Sequence, residues 1–125
     1  MLKKIILSAI IGIGLNTIGL MAKSKTDLMT LASRQEVLSH TITKDYRKQD
    51  NSSLMADIRT FESGQRQLST QIKNPEISNL LAYLNLCLKD LEQVVKRPHT
   101  SKNAQRVAEL TASISEGSHY IVASL

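Results

Sequence analysis

From Thr26 onward, apolar residues recur at alternating steps of three and four, and no stretch competes with alternation at steps of two. That spacing lays an apolar stripe along one side of a helix and argues against half-buried strands. Four such stripes follow one another. The first, from about Thr26 to Lys48, carries Leu28, Leu31, Gln35, Leu38, Ile42 and Tyr46. The second starts near Ser52 and carries Leu54, Ile58, Phe61, Gln65, Leu68 and Ile72. The third shows Ile77, Leu80, Leu81, Leu84, Leu88, Leu91 and Val95. The fourth opens near Thr100 or Ser101 with Ala104, Val107, Leu110, Ile114, Ser118, Ile121 and Leu125 behind it.

The breaks between stripes are chemical as well as periodic. Asn74-Pro75-Glu76 offers a capping side chain, a proline suited to the first helical position and an acid for the positive helix end. Lys96-Arg97-Pro98 reads as a basic last turn followed by a stop. Junctions this short set successive helices antiparallel. The expected fold is therefore all-α, an up-down-up-down antiparallel four-helix bundle over residues 23–125.

Ahead of the bundle, Lys3 and Lys4 precede an apolar run from Ile5 to Ala22, softened by Gly12, Gly14, Asn16 and Gly19. This is the pattern of a secretory signal peptide over residues 1–22, with Ala22 before the cut. Leu20 fits the cleavage pattern less well, and the run reaches the short limit of a membrane span, so an uncleaved anchor is the alternative. Either way the bundle is expected outside the cytoplasmic membrane, in the periplasm. The formal net charge of +5 includes both leader lysines. The remaining basic residues are scattered among acids, and with no Trp and one Phe the chain offers no stacking platform. Nucleic acid is not an expected partner. The lone Cys87, set between Leu86 and Leu88, reads either as a small buried apolar residue or as a thiol for pairing between chains.

Antiparallel pairing of the first two stripes sets Tyr46 against Leu54, Ile42 against Ile58, Leu38 against Phe61 and Leu31 against Leu68. Gln35 then falls opposite Gln65, in a layer that Leu84 and Ile114 complete. Buried amides must find partners or cost a few kcal/mol, about 1–3 each. Two readings follow. The glutamines satisfy each other and fix the helix register, or they line a polar pocket edged by Arg34, Ser39 and Arg66. Gly64 and Gly117, inside helices, signal close packing or a ligand in either case.

Other chemistry finds little support. Met29 and His119 invite a haem reading, but at about 100° per residue both fall well off their apolar stripes and should face solvent. There is no C-x-x-C-H and no histidine pair at i, i+4 among His40, His99 and His119, so neither a cofactor nor a metal is expected. His40 reads as a solvated surface residue and His99 as part of a turn. Asp45, Asp57, Glu62 and Glu116 lie on polar faces without a visible partner that would tune them for acid–base work. No nucleophile elbow is present. The chain reads as a non-enzyme with no catalytic residues.

The run Leu31-Ala32-Ser33-Arg34-Gln35-Glu36-Val37-Leu38-Ser39-His40 resembles the first-helix motif of the type IV pili methyl-accepting chemotaxis transducer N-terminal domain, approximately L-A-G-R-Q-R-M-L-S-Q-R. Leu31, Ala32, Arg34, Gln35, Leu38 and Ser39 fit directly, while Asp57-Ile58 and Phe61 look like the family's second-helix pattern. The family includes the sensing domains of nitrate/nitrite sensor kinases. The resemblance implies a periplasmic four-helix sensor that binds a small ligand or relays a signal, often as a homodimer through its first helix. Glu36 stands where the family commonly has Arg, and Thr41 where a second Arg follows. A carboxylate in the first position repels an anion, which argues against nitrate binding in the family's manner. With no second span or kinase following, the resemblance implies a stand-alone sensing module with a separate membrane-bound signalling partner. The residues expected to meet a small polar ligand are Arg34, Gln35, Ser39 and Gln65. The rival reading is a structural or protein-interaction bundle without a small-molecule ligand.

Overall fold

Each helix begins where a short polar side chain can accept from the first free backbone N–H groups. In the computed structural model, which describes residues 24–125, Ser24 caps α1 (Lys25–Arg47) and Asp50 caps α2 (Asn51–Gln71). Asn74 caps α3 (Pro75–Val94) and Thr100 caps α4 (Ser101–Ser124). The Asn74 side-chain oxygen accepts from both Glu76 N at 2.9 Å and Ile77 N at 3.2 Å, while Pro75 brings no N–H to satisfy. The leader expected over residues 1–22 lies outside the described residues.

The protein is all-helical over the described residues, four helices packed as a bundle. The stripes become its core. One apolar cluster contains Ile42, Ile58, Phe61, Leu91, Val107 and Ile114; the other contains Leu28, Leu31, Leu68, Leu81, Leu84 and Ile121. Between them lie Gln35, Ser39, Gly64, Gln65 and Ser118, all buried, so a layer of polar and small residues divides the core in two. Leu84 and Ile114, expected within that layer, flank it from opposite sides. Cys87 is buried as a free thiol in the first cluster, the apolar role its leucine neighbours suggest. At the end of α3 the buried residue is Val94, and Val95 is half-buried, because the last step of the stripe is three residues from Leu91 rather than four.

α1 packs most extensively against α4, and α2 meets α3 least. Small residues allow the close approach: Ala32 and Ser39 on α1, Thr111 and Ser118 on α4, are all buried. Polar contacts climb the same seam, with Thr43 bonded to Thr111 at 2.7 Å, His40 to Ser115 at 3.2 Å and Glu36 to His119 at 3.4 Å. No helix among the described residues is long and apolar enough to cross a membrane.

Candidate functional site

The two glutamines face each other from adjacent helices. Gln35 Nε2 donates to the Phe61 carbonyl at 2.8 Å and to Gln65 Oε1 at 3.2 Å. Gln65 Nε2 in turn donates to Asn85 Oδ1 at 3.3 Å, which carries the chain of bonds across to α3. Gln35 is 1% and Gln65 2% exposed, so the layer is closed to solvent. Gly64 makes it possible, because a Cβ there would lie only 2.6 Å from Gln35 Cδ.

Outside this layer, α1 and α2 leave a groove of about 320 Å³, with Gln35 and Gly64 at its base and Arg34, Arg59, Thr60 and Ser63 around it. Both arginines are exposed, and among the described residues neither enters an ion pair. No carboxylate lines the groove. Glu36, one residue beyond Gln35, turns instead toward α4 and His119, so its charge falls on a different side of the helix. Two uncompensated guanidiniums beside small hydroxyl side chains suit a small anion or a carboxylate-bearing metabolite.

Of the residues expected at a site, Arg34 and Gln35 line this groove together; Ser39 and Gln65 do not. The Ser39 hydroxyl closes on the Glu36 carbonyl at 2.6 Å. Arg66, expected at the edge, is exposed and sits 3.9 Å from Glu62 one turn back. Arg59 is an addition the stripe pattern did not single out, since it lies on the exposed face of α2.

A second groove, about 520 Å³, runs between α1 and α4 and brings Glu36, His40, Glu116 and His119 together. His40 is exposed, as expected, and the His40–Ser115 contact lies on the surface. Among the described residues no group of three or more His, Cys, Asp or Glu side chains is placed to hold a metal ion. His99 does more than fill a turn. Its ring stacks on Tyr46 with centroids 4.4 Å apart, and Nε2 lies 3.1 Å from the Tyr46 carbonyl.

The expectation that the acids stand without partners is corrected at two places. Asp45 meets Asp57 across α1 and α2, and its pKa is raised to about 6, first by a hydrogen bond with Asp57, then by burial and carboxylate repulsion. As ionised groups both carboxylates only accept, and Asp45 Oδ2 is buried without a donor; a retained proton turns the repulsion into a bond. Glu92 on α3 is likewise raised, by burial and then by Glu62 on α2. In contrast, Asp50 is held lower by the N–H of Ser53, the donor it caps. Searches against protein-family models, curated proteins and solved structures give no match to this chain.

Proposed function

We propose that this protein is an exported, non-catalytic four-helix module of the transducer-sensor type, binding a small polar anion in the groove between α1 and α2. The observation that carries this reading is the pair of unpaired guanidiniums, Arg34 and Arg59, around a groove without a carboxylate. Arg34 adjoins Gln35, whose amide is held by bonds to Phe61 and Gln65, so an anion drawn between Arg34 and Arg59 bears on the packing of α1 against α2 beside the pair that sets their register. Gln65 and Ser39 serve in this reading as supports rather than ligand contacts. The up-down-up-down order is supported by contacts that run oppositely along each pair of helices, such as Asp90 with Arg106 and Glu76 with Tyr120 across α3 and α4. The apolar run that follows Lys3 and Lys4 supports a periplasmic location, and the resemblance of the first helix to the transducer family is what suggests a membrane-bound signalling partner.

A second reading, a bundle that docks only onto a protein, is favoured by the closure of the Gln35–Gln65 pair and by Val37 and Leu86, each 63% exposed. Thermal melting against a panel of small anions and carboxylated metabolites separates the two. A ligand at about 100 times its Kd adds about 2.7 kcal/mol, a rise of several degrees for a domain of roughly a hundred residues. Loss of that rise in Arg34→Ala and Arg59→Ala supports the ligand reading. A flat panel, or a rise that both variants retain, rejects it in favour of docking.

A further inference from the structure

The chain has three tyrosines. Tyr46 is buried, while Tyr83 on α3 and Tyr120 on α4 are 52% and 45% exposed. With Phe61 buried and no Trp in the chain, these two rings are the exposed aromatic surface of the described residues. Both line one groove between α3 and α4, about 400 Å³ in volume, together with Glu76, Leu80, Glu116 and Gly117. We propose that this groove binds a small organic cation, an alkylammonium or quaternary ammonium, between Tyr83 and Tyr120 and against the carboxylate of Glu116.

The register of the two helices sets the spacing. Glu76 pairs with Tyr120 and Asp90 with Arg106, which brings Tyr83 level with Ser113. Ser113 and Tyr120 are seven residues apart, about 10 Å along a helix. A cation midway is then about 5 Å along the helix axes from the level of each tyrosine, a span that a tyrosine side chain can cover to reach it. Glu116 stands at that midpoint on α4, and Leu80 on α3 offers an apolar wall for alkyl groups. The floor is closed by Leu84, which packs where a side chain on Gly117 would be: a Cβ there would lie 2.6 Å from Leu84 Cδ2.

Charge selects the ligand class. The chain is net basic, at +5, yet no Lys or Arg lines this groove. Among the described residues neither Glu76 nor Glu116 enters an ion pair. Glu76 accepts instead from the Tyr120 hydroxyl at 3.1 Å, which orients that ring at the mouth. An anion meets two carboxylates here, and a neutral alkane leaves both unanswered; an ammonium with short alkyl substituents meets both carboxylates, both rings and Leu80. The site is opposite in charge to the groove between α1 and α2 and does not depend on the reading of that groove.

The test is an NMR titration of the purified full chain, following the tyrosine ring protons, with choline and with its neutral isostere 3,3-dimethyl-1-butanol. Saturable shifts of two of the three tyrosines with choline, absent with the alcohol, are the expected result. Glu116→Gln, an exposed substitution that leaves the core untouched, should weaken choline about five-fold or more. Tyr83→Leu should do the same, and Tyr120→Phe, which keeps the ring, should weaken it less. Equal responses to choline and the alcohol overturn the proposal, as does unchanged affinity in Glu116→Gln. Polylysine binding, or self-association abolished by Glu116→Gln, with no response to choline also overturns it, because the groove then takes a basic protein surface. Arg34→Ala should leave choline binding intact, which keeps this outcome separate from the fate of the anion groove.

Discussion

Gly64 on α2 leaves the space that the Gln35 amide of α1 fills. A Cβ at position 64 would lie 2.6 Å from Gln35 Cδ and 2.9 Å from Nε2, the atom that donates to Phe61 and Gln65. The absent side chain and the buried amide are therefore two halves of one fit. Sliding α1 by a turn would set the amide against a side chain and strip it of both acceptors. The register of the first two helices is thus specified by polarity and volume together, in a core that is otherwise mainly apolar.

Gly64→Ala should destabilise the protein, against the helix-propensity gain of about 1 kcal/mol that the same change gives on an exposed face. The methyl group displaces an amide that is 1% exposed and has nowhere to retreat without losing its bonds. A net loss of about 1–3 kcal/mol is expected in urea denaturation. A gain in stability would mean that Gln35 can repack freely.

Single and double substitutions of the glutamines should behave in opposite ways. Gln35→Leu leaves Gln65 Oε1 without its donor, and Gln65→Leu leaves Asn85 and Gln35 each short of a partner. Each single change should cost about 1–3 kcal/mol. The double change to Leu removes donor and acceptor together and should be close to neutral, giving a coupling of about 2 kcal/mol or more in a double-mutant cycle. Additive costs would show that the pair does not act as a unit.

Stability should also carry the signature of Asp45. Its folded pKa of about 6 lies above the ordinary 3.8, so the folded state binds the proton more tightly than the unfolded chain does. The contribution is unfavourable above the folded pKa and is relieved as the pH falls through about 6 toward about 4. Asp45→Asn should raise the melting temperature at about pH 8, and it should shrink the difference between about pH 8 and pH 5 seen in the parent. Parallel pH profiles for the two proteins would show that Asp57 does not perturb Asp45.

The residues that build the fold are the ones whose signals are local. Ser24, Asp50, Asn74 and Thr100 cap within three residues of themselves, and the stripes repeat within a turn. Gln35 opposite Gln65 is legible because one short loop joins their helices, and numbering across it fixes the layer. The same numbering brings Asp45 to Asp57, but two acids on half-polar faces do not stand out as a pair. The meeting of Glu36 with His119 is not legible at all, since the register of α1 on α4 depends on three loops and on how small residues such as Ser39 and Ser118 let the backbones approach. Arg59 is hidden for another reason: an exposed arginine on a helix looks like any solvated charge until Arg34 is placed across the groove from it.

Ser118 offers the plainest gain in stability. It stands in the apolar stripe of α4, is 1% exposed, and its hydroxyl is buried without a hydrogen-bond partner. Thr111, two turns earlier on the same face, bonds back to the Val107 carbonyl at 2.9 Å, which shows the arrangement that Ser118 lacks. Burying a hydroxyl without a partner costs about 1–3 kcal/mol, and alanine is also the better helix former. The substitution removes one oxygen from a tightly packed seam and leaves little room behind it. Ser118→Ala should therefore raise stability by about 1 kcal/mol, a shift of roughly 4–8 °C for a domain this size. A loss of stability on melting would mean that the hydroxyl has a partner in solution, and that the seam between α1 and α4 holds a water or a polar contact at this level.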